Sequence, residues 1–157
     1  MNKILYVIII FMSLVGCKYE PIFLSKKSNF KFNNIIMQGD EKINKIIKNN
    51  LLNRSKGNKI YDIHLTTSRD KESISLNEKG DATSYKLKIF TDYKIIENNE
   101  IVFKNNFTKQ TTYNNITDKF ELSKNEENII ENLSKIISSE IIMSVVTINK
   151  WLLRVFN

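Results

Sequence analysis

Apolar and polar positions divide this chain into one continuous apolar run at its start and a series of periodic segments after it. Ile4 to Leu14 is almost wholly apolar, with Lys3 ahead of it. That length suits the core of an export signal and falls short of the roughly 20 residues a membrane-spanning helix needs. From Phe30 the pattern changes. Phe30-Lys31-Phe32 alternates and Ile35-Ile36-Met37 is apolar, which predicts a strand closed by Gly39-Asp40. Behind Asp40, a good N-cap, Ile43, Ile46, Ile47 and Leu51 recur at helical spacing, so residues 41–52 read as an amphipathic helix.

Period two returns at Tyr61, Ile63 and Leu65, with Asp62, His64 and Thr66 on the opposite face. Residues 69–81 are polar and charged and end in the turn signal Lys79-Gly80-Asp81. A longer strand is predicted from Thr83 to Ile96, Tyr85, Leu87 and Ile89 facing inward and Lys86 and Lys88 outward. Asn98-Asn99 suggests a hairpin turn, and Ile101 to Tyr113 the return strand. Phe90, Tyr93, Phe103, Phe107 and Tyr113 are expected to meet across this pair. Ser123-Lys124-Asn125-Glu126 has the spacing of a capping box, Ser123 as N-cap and Glu126 reaching back. Ile129, Ile130, Leu133, Ile136, Ile137, Ile141 and Ile142 then form a broad apolar stripe, predicting a helix over about 124–146. Trp151-Leu152-Leu153 and Val155-Phe156 make an apolar tail with three open roles: capping the core, continuing the helix, or meeting a partner.

This order predicts an α+β fold of two layers, β-α-β-β-β-α, with two helices packed on one face of a four-stranded, mostly antiparallel sheet. The other sheet face stays uncovered and presents Lys86 and Lys88, with Asp62 and His64. The chain divides into residues 1–16 as a signal, 17–28 as a tether, 29–146 as the folded domain and 147–157 as the tail.

Cys17, the single cysteine, changes the picture of the N-terminus. Leu14-Val15-Gly16-Cys17 places a small residue directly before it, the pattern of a bacterial lipoprotein signal. A free thiol in an exported protein is a liability, since oxidising compartments pair cysteines. The expectation is cleavage before Cys17 and acylation of its thiol. No internal disulfide is then possible, so packing must hold the domain together. The whole chain carries 24 Lys and Arg against 17 Asp and Glu, a net charge of +7, of which the signal removes only Lys3. Such a balance favours anionic partners, and export argues for anionic lipid or acidic glycolipid rather than nucleic acid.

Catalytic patterns are missing. One histidine and one cysteine assemble neither a Cys–His nucleophile nor a His-rich metal site. His64, on the polar side of a strand, reads as a solvated or pairing residue, because general-base work needs oriented partners. Asp40, Glu41, Glu126 and Glu127 fall where helices start and complement the macrodipole. No enzyme, cofactor or metal is expected. Lys86, Lys88 and Lys94, with Lys104 and Lys109 on the next strand, make either a cationic face for phosphates or an ordinary solubilising surface.

Cys17-Lys18-Tyr19-Glu20-Pro21-Ile22-Phe23 resembles the mature start of the lipopolysaccharide-assembly lipoprotein E family: lipid cysteine, glycine, aromatic, any residue, proline, aliphatic, aromatic. Lys18 departs from the usual glycine. The element order and the Tyr85-Lys86-Leu87 strand after Gly80 also resemble that family, over nearly all of the mature chain. The resemblance implies an outer-membrane lipoprotein that helps a large lipopolysaccharide-assembly β-barrel fold, plugs its lumen, and binds lipopolysaccharide on its way to the outer leaflet. Lys86 and Lys88 are the candidate contacts to lipid A phosphates. Lys18 in place of the aspartate that retains many lipoproteins at the inner membrane favours the outer one. The alternative is an accessory lipoprotein of another envelope lipid-transport or secretion complex.

Overall fold

A computed structural model describes residues 29–155, with side chains for residues 29–149. Its elements are β1 (Phe30–Gly39), α1 (Glu41–Arg54), β2 (Lys59–Leu76), β3 (Ala82–Glu97), β4 (Glu100–Asn114) and α2 (Lys119–Val155). The sheet order is β1-β2-β3-β4. β1 and β2 are parallel, joined through α1, as a parallel pair requires; the other pairs are antiparallel. The α+β architecture, β-α-β-β-β-α with both helices over one sheet face, is the one expected. The signal, the tether and Cys17 lie outside the described residues.

β1 shows why its alternation fails halfway. Phe32 pairs with Tyr61 and Ile35 with Ile63, so one extra residue is spent between them. This bulge shifts the parity. Phe30 and Phe32 before it, and Ile35 and Met37 after it, therefore all belong to the helix-side core. Asp62 receives the backbone freed there: its Oδ1 accepts from the Asn34 amide at 2.9 Å and its Oδ2 from Asn34 Nδ2 at 3.3 Å.

At the end of β1, Gly39 has φ +97°, and a Cβ there would lie 1.7 Å from the Thr67 carbonyl oxygen. Only glycine fits. Asp40 then caps α1, its Oδ1 accepting from the Ile43 amide at 3.0 Å. α1 buries Ile43, Ile47 and Leu51. Lys42 bonds Glu127 and Arg54 bonds Ser139, so the two helices run side by side in the same direction.

β2 is longer than its apolar pattern. Residues 69–76 are polar yet continue the strand, paired to β3 as far as Leu76 opposite Ala82. The turn signal begins only at Asn77, whose Oδ1 accepts from the amides of Lys79 and Asp81. Asn98 and Asn99, at φ 52° and 67°, make the expected hairpin turn.

α2 starts earlier than the capping box predicts. Asp118, not Ser123, is the cap: its Oδ1 accepts from the amides of Phe120 (2.8 Å) and Glu121 (3.2 Å). The extra turn carries Leu122 into the core. Glu126, freed from capping, reaches the sheet instead. The stripe also shifts by one position. Ile136 is 46% exposed, while Ser134 and Ser138 are buried, their hydroxyls donating to the carbonyls of Ile130 and Ser134. At its far end α2 does not stop at 146 but runs on to Val155, so the tail continues the helix. Val145 is buried and Asn149 accepts from the Tyr61 hydroxyl at 2.7 Å, which ties this last stretch to β2.

Candidate functional site

The uncovered sheet face is built by alternate residues of all four strands. Lys86 and Lys88 project onto it, as expected, but they are not free cations. Lys86 Nζ and Lys88 Nζ each lie 3.0 Å from a carboxylate oxygen of Glu72 on β2. Lys88, and then Lys86, hold the Glu72 carboxyl below the ordinary carboxylate range. Asp70 stands opposite Lys88 in the same register. At this end of the face the charges largely cancel.

Farther along, the balance differs. His64, Lys94 and Lys104 stand opposite one another across β2, β3 and β4, one row of the sheet. Neither Lys94 nor Lys104 is in an ion pair among the described residues. On β3 and β4, the open-face cations outside any ion pair among the described residues lie in this row rather than at Lys86 and Lys88, with Asp92 and Asp62 two residues along their strands from Lys94 and His64 on the same face. Lys109 drops out of the predicted cationic surface. It lies on the helix side, against Glu140 of α2 and 5.5 Å from the Phe107 ring.

Between the two charged zones sits Phe90, opposite Ser68 and Thr108. It is 43% exposed, in a shallow depression of about 290 Å³ with Thr66, Asp92 and Asn106. Its register places it away from the aromatic cluster predicted for it. Tyr93 meets Phe103 at 6.0 Å and Phe107 at 5.9 Å between ring centroids, and Tyr85 meets Tyr113 at 5.6 Å. Phe90 takes no part because it follows the opposite parity.

On the helix side, α2 is fastened to the sheet by polar contacts along its length. Glu126 bonds Lys71 and accepts from the Tyr113 hydroxyl at 2.7 Å. Lys71 Nζ also lies 4.2 Å from the centre of the Tyr85 ring. Burial pushes the Glu126 carboxyl up, and Lys71 with Tyr113 more than offsets it, so its pKa is lowered. Tyr113 is raised by burial first and by the Glu126 carboxylate next. Nearer the hairpin, Tyr93 and Ser144 share a hydrogen bond of 2.7 Å.

One feature carried no signal in the pattern of the chain. Between β4 and the later turns of α2 runs a groove of about 820 Å³ walled by Val102, Phe103, Met143, Ser144, Thr147 and Ile148. Glu97 and Glu140 also line it. Among the described residues, no group of His, Cys, Asp and Glu is placed to hold a metal ion, and no helix is long and apolar enough to cross a membrane.

No family model matches this chain, and no curated protein matches it. Solved structures do. Rare lipoprotein B from Shewanella oneidensis superposes with a TM-score of 0.59 at 15% identity, over 76% of this chain and 98% of that one. The chain shares that lipoprotein's fold. Uncharacterized lipoprotein B from Nitrosomonas europaea gives a TM-score of 0.55 at 16% identity, over 75% of this chain and 84% of its own. At such identities the likeness is one of fold alone. The matched length in both cases is about that of the body from β1 to α2.

Proposed function

We propose that this chain is an outer-membrane lipoprotein, acylated on Cys17, that helps a lipopolysaccharide-assembly β-barrel fold, plugs its lumen, and helps deliver lipopolysaccharide to the outer leaflet. One coincidence carries the reading. A lipoprotein signal ending Leu14-Val15-Gly16-Cys17 precedes a β-α-β-β-β-α body, the order implied by the resemblance to the lipopolysaccharide-assembly lipoprotein E family, and that body has the fold of solved lipoproteins. The physics is compatible. A chain held by two or more acyl groups stays on a membrane, where one group holds only marginally. A two-layer body with an open polar face suits the polar lumen of a wide barrel. Phosphates of lipid A would find cations on that face at Lys94 and Lys104, with Lys86 and Lys88 shared with Glu72. The role is one of binding and assembly, without catalysis.

Crosslinking in intact cells tests it directly. The tagged chain is expected to capture a large outer-membrane β-barrel protein, and Cys17→Ser to abolish capture by leaving an unlipidated precursor. Recovery of an inner-membrane transporter in its place would favour an accessory role in another envelope complex and overturn the proposal.

A further inference from the structure

Two neighbouring rows of the open face combine an exposed aromatic ring with unpartnered polar groups. Ser68, Phe90 and Thr108 form one row across β2, β3 and β4, and Thr66, Asp92 and Asn106 form the next. Phe90 is 43% exposed, and all six residues line the same shallow depression. None of the five polar side chains is in a hydrogen bond or ion pair among the described residues. We propose that this patch binds a neutral sugar, a pyranose ring lying on Phe90 with its hydroxyls bonded to Asp92 and Asn106.

The chemistry of the patch selects that ligand. The face of an aromatic ring is electron-rich and attracts the C–H groups that one side of a pyranose presents. A sugar hydroxyl both donates and accepts. The Asp92 carboxylate accepts only, while the Asn106 carboxamide and the hydroxyls of Thr66, Ser68 and Thr108 do both. A few placed polar groups around an apolar contact are what fixes a small ligand in orientation.

Other occupants match less well. Hydrocarbon would strip water from five polar side chains without replacing their bonds. A phosphate held at Lys94 and Lys104 is one row farther on, with the Asp92 carboxylate between it and Phe90. A protein partner would find a single apolar residue where the core of an interface needs several.

The placement is also rigid. The β2–β3 and β3–β4 ladders run through both rows without a register shift. Residues two apart on a strand are separated by about 6.8 Å, and neighbouring strands by about 4.8 Å. A sugar ring centred on Phe90 therefore reaches Asp92 along β3, Asn106 on the diagonal, and the hydroxyls of Ser68 and Thr108 on either side. Sugar binding here needs neither acylation nor a barrel, so its outcome is separate from that of the function proposed above.

The test follows amide NMR shifts of the isotope-labelled full-length protein, in a detergent without a sugar headgroup. The probes are the methyl glycosides of glucose, galactose and N-acetylglucosamine. Shifts are expected at Ser68, Phe90, Asp92 and Thr108 for at least one of them, with a Kd on the order of 1 mM, the scale of one ring contact and a few hydrogen bonds. Phe90→Leu keeps the apolar bulk and removes the aromatic face, and should weaken binding about fivefold. Phe90→Trp should bind at least as tightly as the wild type. Asp92→Asn should weaken binding about tenfold, because a hydrogen bond to a charged group is lost, and Lys94→Gln should leave it unchanged. Melting curves matching the wild type's show that the variants remain folded. No shift with any glycoside up to its solubility limit would overturn the proposal. So would undiminished binding by Phe90→Leu, or the same shifts produced by inorganic phosphate and lost in Lys94→Gln, which would mark an anion site instead.

Discussion

Lys94 on β3 and Lys104 on β4 stand directly opposite each other on the open face of the sheet, with His64 next in the row. Like charges in opposed cross-strand positions destabilise a sheet by tenths of a kcal/mol. A sequence under pressure for stability alone has no reason to keep this pair. Lys94→Thr should therefore raise stability by about 0.5 kcal/mol in low-salt urea unfolding, with the gain shrinking as salt screens the pair. No gain at low salt would show that the two ammonium groups avoid each other.

The same row predicts how the open face treats phosphate. Replacing Lys94 and Lys104 together by Gln should weaken binding of lipopolysaccharide about a hundredfold, since each hydrogen bond to a charged group is worth roughly 1.5 kcal/mol. Replacing Lys86 and Lys88 by Gln should cost less, because Glu72 already shares both cations. Equilibrium binding measured across a salt series distinguishes the two. A larger loss from the Lys86 and Lys88 pair would return the site to the charged zone at the other end of the face.

A second charged group sets a pH dependence. Glu126 has a lowered pKa in the folded protein, because Lys71 and Tyr113 outweigh its burial. A depressed folded pKa contributes stability above the unfolded value of about 4.3, and that contribution is lost as pH falls through the folded pKa. Glu126→Gln should cost about 1 kcal/mol at neutral pH and nothing once pH lies below both values. Its stability curve should accordingly be flatter than the wild type's below pH of about 4.5. Parallel curves for the two proteins would remove Glu126 as the titrating group.

The pattern of side chains revealed the order of elements and hid most of the polar decisions. Alternation found the buried faces of β2 and β3 because Tyr61, Ile63, Leu65, Leu87 and Ile89 each face the helices. It could not place the β1 bulge, since the extra residue is defined by pairing with a strand nearly thirty residues away. It missed residues 69–76 as strand because there both faces are polar: Arg69 and Lys71 turn to Asp40 and Glu126, and Glu72 to Lys86 and Lys88. The offset of Lys86 and Lys88 by Glu72 was invisible for the same reason. Partners on neighbouring strands have no fixed spacing in the chain.

Helix capping offers a sharp case of local signal overruled by packing. Ser123 and Glu126 have the right spacing, yet Asp118 accepts the amides of Phe120 and Glu121. Starting there places Leu122 in the core, where it is 7% exposed. Asp118→Ala should therefore cost about 1 kcal/mol, and Ser123→Ala no more than a few tenths. Urea denaturation of the two variants measures both. Equal losses, or a greater one at Ser123, would reinstate the shorter helix.

Gly39 is the position where the backbone leaves least freedom. It pairs opposite Thr67 at the end of the parallel β1–β2 ladder, and the next amide, Asp40, donates to the Thr67 carbonyl at 3.2 Å. A methyl group at Gly39 would sit 1.7 Å from that same oxygen, on a residue whose φ is +97°. Alanine there must both strain the backbone and push β1 away from β2, loosening the Asp40 cap that follows. Gly80 supplies the control: its φ is +85°, but nothing lies within 4 Å of an added Cβ. Gly80→Ala should then cost only the left-handed penalty, about 1 kcal/mol. Gly39→Ala should cost about 3 kcal/mol or more, since steric displacement adds to the same strain. Thermal melting of the two variants should separate them by several degrees or more. Similar losses would mean that the β1 terminus can move aside, and that the contact between Gly39 and Thr67 does not hold the parallel edge in register.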